Sequence, residues 1–192
     1  MSNRWQSADV PRGDSYDERF DALAAAGQDV HGEATLVASY GPRAVLDAGC
    51  GTGRVAVELD RRGFAVMGAD IDPAMLDVAR RKAPHLTWLE ADLAEPLPTE
   101  RAFDVVVLAG NVLIFVEPGT EAAVIAGLAE RLEPGGRLIA GYTLVPGGFA
   151  VAAHDAAASA AGLELEDRWS TWDREPFSSV STYAVSVHRR PL

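Results

Sequence analysis

The chain has 192 residues, a length typical of one domain. Hydrophobic residues make up 48% of it and charged residues 23%, a balance that excludes global disorder and a collagen-like chain. Its 17 Lys and Arg residues face 28 Asp and Glu residues, and the resulting net charge of −11 argues against a nucleic acid partner.

The sequence of the N-terminal part of the chain indicates a segment that covers a ligand site. Residues 1–15 lack hydrophobic periodicity, which indicates a flexible arm or a segment that becomes ordered over a ligand. Two helices are predicted next, over 17–26 and 30–40. We therefore expect the unit 1–40 to cover a site on the main domain, 41–192.

The main domain alternates between strands and helices. The predicted strands are 44–48, 65–69, 86–90, 105–109, 137–142, 163–172 and 181–188. The predicted helices are 54–62, 73–82, 121–132 and 149–161, with a start at Asp72-Pro73 and a stop at Pro134-Gly135-Gly136. This alternation predicts a parallel sheet with helices on its faces, and the short last connection predicts that the final two strands are antiparallel.

The segment 45–53 contains the main signal for a ligand-binding site. It is an apolar strand that runs into a glycine-rich turn, and an acidic residue, Asp70, follows about 20 positions later, where a ribose diol is usually held. The pattern predicts a nucleoside-containing cofactor. Because the residues from Gly51 to Ala56 also satisfy the dinucleotide pattern G-x-G-x-x-G/A, the glycines alone leave NAD open.

Asp47 distinguishes the two cofactor classes. It lies at the end of the strand, where a second anion at about 4 Å would be repelled by roughly 4 kcal/mol at an effective dielectric constant near 20. A pyrophosphate is therefore disfavoured. S-adenosylmethionine (SAM) brings an ammonium and a sulfonium toward Asp47 and a carboxylate for the N–H groups of the turn, so the charge pattern favours SAM.

These residues resemble the class I SAM-dependent methyltransferases, in particular their small-molecule branch. The motif D/E-x-G-x-G-x-G is complete in Asp47, Gly49, Gly51 and Gly53. The resemblance implies a doubly wound α/β sheet of seven mostly parallel strands in the order 3-2-1-4-5-7-6, with the last, inserted strand antiparallel.

The same resemblance implies further cofactor contacts. Asp70 takes the ribose position and Ile71 lies beside the adenine. Asp92 accepts from the adenine amino group, Leu93 packs on the ring, and Ala109 lies at the active-site edge of the fourth strand. The expected activity is methyl transfer to an unidentified small-molecule acceptor, with no catalytic residue assigned.

Two alternatives stay open: a SAM-binding module without catalysis and, less favoured, an NAD-dependent oxidoreductase. The segment 109–113, Ala-Gly-Asn-Val-Leu, departs from the Asn/Asp-Pro-Pro-aromatic motif of family members that modify a base or an amide nitrogen. This departure argues against adenine or glutamine as the acceptor.

For the four histidines, a solvated side chain is predicted in preference to a general base. His31 and His154 lie on elements expected near the reactive end of the cofactor, whereas His85 and His188 are expected at the surface. Four aromatic residues of the last two strands are expected mainly to pack: Trp169, Trp172, Phe177 and Tyr183.

The single cysteine, Cys50, excludes an intramolecular disulfide and a cysteine-rich zinc site, so we expect no metal and a reducing, cytoplasmic location. The first 20 residues contain no apolar signal segment, and the apolar stretch 103–116 is interrupted by Asp104 and Asn111. No membrane partner is expected.

Overall fold

The computed structural model describes residues 4–7 and 12–192 and is organised around a seven-stranded sheet. The strands are β1 (Ala44–Ala48), β2 (Ala65–Asp70), β3 (Thr87–Glu90), β4 (Phe103–Leu108), β5 (Leu132–Thr143), β6 (Glu164–Trp169) and β7 (Tyr183–Arg189). The helices are α1 (Arg4–Ser7), α2 (Asp14–Ala25), α3 (Gly32–Ala38), α4 (Arg54–Arg61), α5 (Pro73–Lys82), α6 (Val112–Phe115), α7 (Glu121–Glu130) and α8 (Val151–Ala160).

The strand order is β3-β2-β1-β4-β5-β7-β6. All neighbours are parallel except around β7, which is antiparallel to both β5 and β6. The predicted order and the inserted antiparallel strand are confirmed. Because β1, β2 and β4 are parallel, their carboxyl ends meet at one edge of the sheet, where ligands bind in open α/β folds.

Helices cover both faces of the sheet. One apolar cluster joins the sheet to α7 and α8, and a second joins it to α3 and α4. In α4 the buried residues Val55, Ala56 and Leu59 recur at helical spacing, so one side of the helix is apolar and packs on the sheet. The structure is therefore doubly wound.

The start of α5 follows local chemistry. The Asp72 carboxylate accepts a hydrogen bond from the Ala74 N–H at 2.9 Å, and Pro73 occupies the first turn. Proline costs little at this position because the N–H that it lacks has no partner inside a helix. The predicted helix start at Asp72-Pro73 is confirmed.

Strand β5 begins earlier than predicted. Leu132 pairs with Phe103, the register then shifts, and regular pairing resumes at Arg137 opposite Val105. The segment 133–136, which contains the predicted helix stop Pro134-Gly135-Gly136, is a bulge within this strand. Gly136 permits it, because a Cβ there would lie 2.9 Å from the Glu133 carbonyl oxygen.

Two short features lay outside the predicted pattern. Helix α6 has four residues, too few for a helical period to be visible in the sequence. Helix α1 lies in the arm predicted to be flexible, while residues 1–3 and 8–11 of that arm fall outside the described residues. Across the described part of the chain, no helix is long and apolar enough to cross a membrane.

Candidate functional site

The glycine turn between β1 and α4 lies at the carboxyl edge of the sheet. Gly49, Gly51 and Gly53 have φ angles of 76°, 54° and 79°, which L side chains rarely adopt. The N–H groups of Gly49 and Cys50 both donate to the Ala69 carbonyl oxygen, at 2.8 and 3.0 Å, and the Gly53 N–H donates to the Cys50 carbonyl. These three N–H groups are therefore satisfied within the protein.

Asp47 carries a buried carboxylate near the end of β1, with 1% of the residue exposed. Its Oδ2 accepts from the Ala56 N–H at 3.0 Å, whereas its Oδ1 has no hydrogen-bond partner among the described residues. Burial raises the pKa of Asp47 to about 7, against the opposing attraction of the Arg54 guanidinium. A cationic ligand group beside Oδ1 would therefore be stabilised.

Asp70 ends β2 and connects two loops. Its Oδ2 accepts from the Gly51 N–H at 2.7 Å, and its Oδ1 accepts from the Asp72 N–H at 2.9 Å. Burial raises the pKa of Asp70, although these backbone hydrogen bonds act to lower it. The side chain thus holds the glycine turn against the start of α5 and lines the same cleft as Asp47.

That cleft, the cofactor cleft, brings together most of the predicted site. Its lining includes Asp47, Gly49, Gly51, Asp70, Ile71, Leu93 and Ala109. Gly53 and Asp92 are not part of the lining. Gly53 faces the Trp88 indole, 2.5 Å from where its Cβ would be, and the Asp92 Oδ1 accepts from the Ala94 N–H at 2.9 Å.

Three aromatic residues that the sequence analysis did not assign also line this cleft: Trp5, Tyr16 and Phe115. The Trp5 ring meets Tyr16 and Phe115 edge-on, with centroids 6.4 and 5.4 Å away. Its Nε1 donates to the Asp72 Oδ2 at 2.9 Å. The N-terminal segment therefore forms one wall of the cleft.

The chain is similar to known methyltransferases in sequence and in fold. A family described as a methyltransferase domain matches residues 45–136. The crystal structure of a TehB-like SAM-dependent methyltransferase from Corynebacterium glutamicum is 36% identical to this chain, with 91% of this chain and 96% of that chain covered and a TM-score of 0.84. The chain belongs to the class I SAM-dependent methyltransferases.

Two further relatives agree with this assignment. The CcbJ methyltransferase from Streptomyces caelestis is 26% identical and covers 83% of this chain and 94% of its own, with a TM-score of 0.75. A demethylmenaquinone methyltransferase from Thermus thermophilus is 41% identical over 111 residues, which are 54% of this chain and 49% of that protein. The methyltransferase spans about half or less of the length of the curated relatives it matches.

The cofactor cleft of this methyltransferase fits SAM. The unpartnered Oδ1 of Asp47 is placed for a cation, and the glycines let neighbouring side chains pack closely against the turn. A Cβ at Gly49 would lie 2.5 Å from Val112, and one at Gly51 would lie 3.2 Å from Met75. Among the described lining residues, Arg54 has the one cationic side chain.

Arg54 connects this cleft to a neighbouring one. Its Nη1 and Nη2 donate to the two Glu33 carboxylate oxygens at 2.9 and 2.5 Å, and its guanidinium lies over the Phe20 ring at 4.3 Å from the centroid. Sequence reasoning did not single out Arg54. Its position directly after the glycine turn was the available signal, but its partner lies 21 residues earlier.

The histidines do not line either cleft. His188 is 1% exposed, so its expected surface position is wrong: β7 is inserted between two strands and α8 covers it. His154, on α8, is also buried, and burial lowers its pKa to about 3 and lowers the pKa of His188. His154 thus lies in the core and does not line the cofactor cleft.

Asn111 has a structural role at the departure from the family motif. Its Oδ1 accepts from the Thr143 N–H at 2.7 Å, and its own N–H donates to the Gly141 carbonyl oxygen at 3.1 Å. Since the amide oxygen already accepts a hydrogen bond, Asn111 links the segment that follows β4 to the end of β5.

Within the described residues, no group of three or more His, Cys, Asp or Glu side chains could hold a metal ion.

Proposed function

We propose that this methyltransferase transfers the methyl group of SAM to a small-molecule acceptor. The observation that carries the proposal is the buried Oδ1 of Asp47, which lines the cofactor cleft and has no partner among the described residues. An anionic oxygen at this point attracts the ammonium and sulfonium of SAM and repels a pyrophosphate.

The contacts of the cofactor are proposed residue by residue. Asp70 holds the ribose, Ile71 and Leu93 provide the apolar walls of the adenine site, Asp92 accepts from the adenine amino group, and Ala109 borders the reactive end. Gly49 and Gly51 allow close approach of the cofactor, and Gly53 allows the Trp88 indole to pack against the turn.

The chain's main contribution to the reaction is positioning. Bound SAM supplies a methyl group on a positively charged sulfur. Holding an acceptor in line with that methyl can lower the barrier by about 7–11 kcal/mol, whereas a general base contributes about 10²–10⁴-fold where a proton must leave. Neither His154 nor His188 lines the cleft. We therefore propose that the residues lining the site position the acceptor and that neither of these histidines acts as a general base.

Calorimetric titration tests the choice of cofactor. S-adenosylhomocysteine (SAH) is expected to bind with a Kd on the order of micromolar, and NAD at least about 100-fold more weakly, because of the charge on Asp47. Tighter binding of NAD would favour an oxidoreductase instead. Binding of SAH without turnover of any hydroxyl, thiol, amine or carboxylate acceptor would favour a non-catalytic module.

Asp70→Ala is expected to weaken SAH binding at least tenfold. The substitution removes a charged acceptor, which typically contributes about 1.5–3 kcal/mol, and it also frees the Gly51 N–H from its partner. Calorimetry on the folded variant measures the effect. Asp77→Ala, on the exposed side of α5, is the matched control, and equal affinities of the two variants would remove Asp70 from the site.

The negative charge supports a small-molecule acceptor in preference to nucleic acid. The short basic run Arg80-Arg81-Lys82 is neutralised by ion pairs with Asp77, Asp14 and Asp17, at 3.0, 2.5 and 2.7 Å. We therefore propose no nucleic acid partner.

We also propose a cytoplasmic location, and the free, buried Cys50 supports it. The division of the chain into a covering unit, 1–40, and a main domain, 41–192, is likewise a proposal.

A further inference from the structure

A second cleft adjoins the cofactor cleft and shares one lining residue with it, Arg54. It lies between the C-terminal part of α2, the start of α3 and the segment that links β6 to β7. Its volume is about 340 Å³, at the lower end of the roughly 300–1,000 Å³ of small-molecule sites. A molecule bound there would lie next to the Arg54 end of the cofactor cleft.

One wall of this second cleft is aromatic and held in place. The Trp172 indole packs directly on the backbone of Gly141, where a Cβ would collide with it, and its Nε1 donates to the Tyr183 hydroxyl at 3.2 Å. On the other side, a Cβ at Gly32 would lie 3.4 Å from the Trp172 Cβ. A wall fixed in this way suits a flat apolar group, since little side-chain entropy is lost on binding.

The charged groups of the second cleft are mostly anionic. Its lining holds three carboxylates, from Asp29, Glu33 and Asp173, against the single guanidinium of Arg54. Arg54 is bound through two hydrogen bonds to Glu33, so these two charges balance. Within residues 4–7 and 12–192, Asp29 and Asp173 form no ion pair, which leaves the cleft with excess negative charge.

We propose that the second cleft binds the methyl acceptor and that this acceptor is a primary or secondary amine carried on a flat apolar body. The proposal rests on the proposed function. The carboxylate of Asp173 and that of Asp29, whose Oδ1 also accepts from the His31 N–H at 2.8 Å, attract a cationic amine and repel an anion. The Trp172 and Tyr183 rings contact the apolar body. An aliphatic amine has its own lone pair and needs no side-chain amide to activate it, in agreement with the structural use of Asn111.

The reaction balances with SAM as the one co-substrate. The bound ammonium first loses a proton to water at the open mouth of the cleft. The lone pair of the neutral amine then forms the new N–C bond while the bond from the methyl carbon to sulfur breaks. The electron pair of that bond stays on sulfur, which becomes the thioether of SAH. The methylated ammonium then loses its proton to water at the open mouth of the cleft.

The test is calorimetry on the full chain saturated with SAH, with three probes of one shape: 2-phenylethylamine, 2-phenylethanol and 3-phenylpropionate. The amine is expected to bind at least tenfold more tightly than the alcohol or the acid. Equal binding of the amine and the alcohol would overturn the amine assignment. Failure of SAH itself to bind would instead count against the proposed function.

Two variants locate the binding of the amine. Asp173→Asn is expected to weaken 2-phenylethylamine about fivefold, whereas Asp77→Asn, an exposed aspartate on α5, leaves it unchanged. Gly32→Leu is expected to fill the second cleft and abolish amine binding while SAH binding is retained. Amine affinity that survives in both Asp173→Asn and Gly32→Leu would overturn the placement of the acceptor.

Discussion

At pH 8, Asp47→Asn is expected to stabilise the cofactor-free protein against unfolding while it weakens SAM binding at least tenfold. The wild-type carboxylate is buried with one oxygen unpartnered among the described residues, and its pKa is raised to about 7. Asparagine has nearly the same shape and, through its side-chain oxygen, can still accept from the Ala56 N–H, but it is never charged. The same charge that costs stability in the free protein attracts the cationic cofactor.

The pH dependence of this effect has a definite sign. The folded protein keeps the Asp47 proton up to about pH 7, whereas an unfolded chain loses it near the ordinary value of 3.8. The folded state therefore binds more protons, and the contribution of Asp47 to stability falls as pH rises from about 4 to about 7. Above that window the cost is on the order of 4 kcal/mol, and Asp47→Asn avoids it.

Thermal unfolding and SAH titration between pH 5 and 8 check both parts. The stability advantage of Asp47→Asn is expected at pH 8 and should be smaller at pH 5. SAH affinity of the wild type should increase with pH through this range, because a bound cation favours the ionised carboxylate, and the increase should be absent in the variant. If Asp47→Asn were less stable than the wild type at pH 8, the ionised Asp47 carboxylate would not destabilise the cofactor-free protein, and the prediction would be wrong.

Gly49→Ala is expected to destabilise the protein by about 2–5 kcal/mol and to reduce SAH binding at least tenfold. Gly49 has a φ of 76°, which costs an L residue about 1–2 kcal/mol. Its new Cβ would also lie 2.5 and 2.7 Å from the two γ-carbons of Val112, an overpacking that typically costs about 1–3 kcal/mol. Chemical denaturation and calorimetry measure the two effects.

Gly63→Ala separates the two causes. Gly63 has a φ of 91° but no atom lies within 4 Å of where its Cβ would be, so this variant reports backbone strain alone. The double variant Gly49→Ala/Val112→Ala, compared with each single variant, should recover the part that comes from overpacking. If Gly49→Ala cost no more than Gly63→Ala, the close approach of Val112 to the turn would be disproved.

Much of the cofactor cleft was predictable because its signals are local in the chain. The glycines and Asp47 lie within nine residues, and the strand that ends at Asp70 is visible from its apolar run. The bulge at the start of β5 was missed because Phe103 opposite Leu132 is a pairing between distant segments. The burial of His188 was missed for a related reason. His188 is near the end of β7, and its exposure depends on the strands that flank β7, which the local sequence does not specify.

The sequence by itself determined the alternation of strands and helices, the glycine turn and the acidic residues at two strand ends, since hydrophobic period and turn chemistry depend on near neighbours. Only the tertiary structure decided that Arg54 pairs with Glu33, that Trp5 and Tyr16 wall the cofactor cleft, and that a second cleft adjoins it. These features join segments far apart in the chain. Side chains such as Trp172 and Tyr183 acquire a shared surface when the sheet brings β5, β6 and β7 together, and no local pattern specifies that meeting.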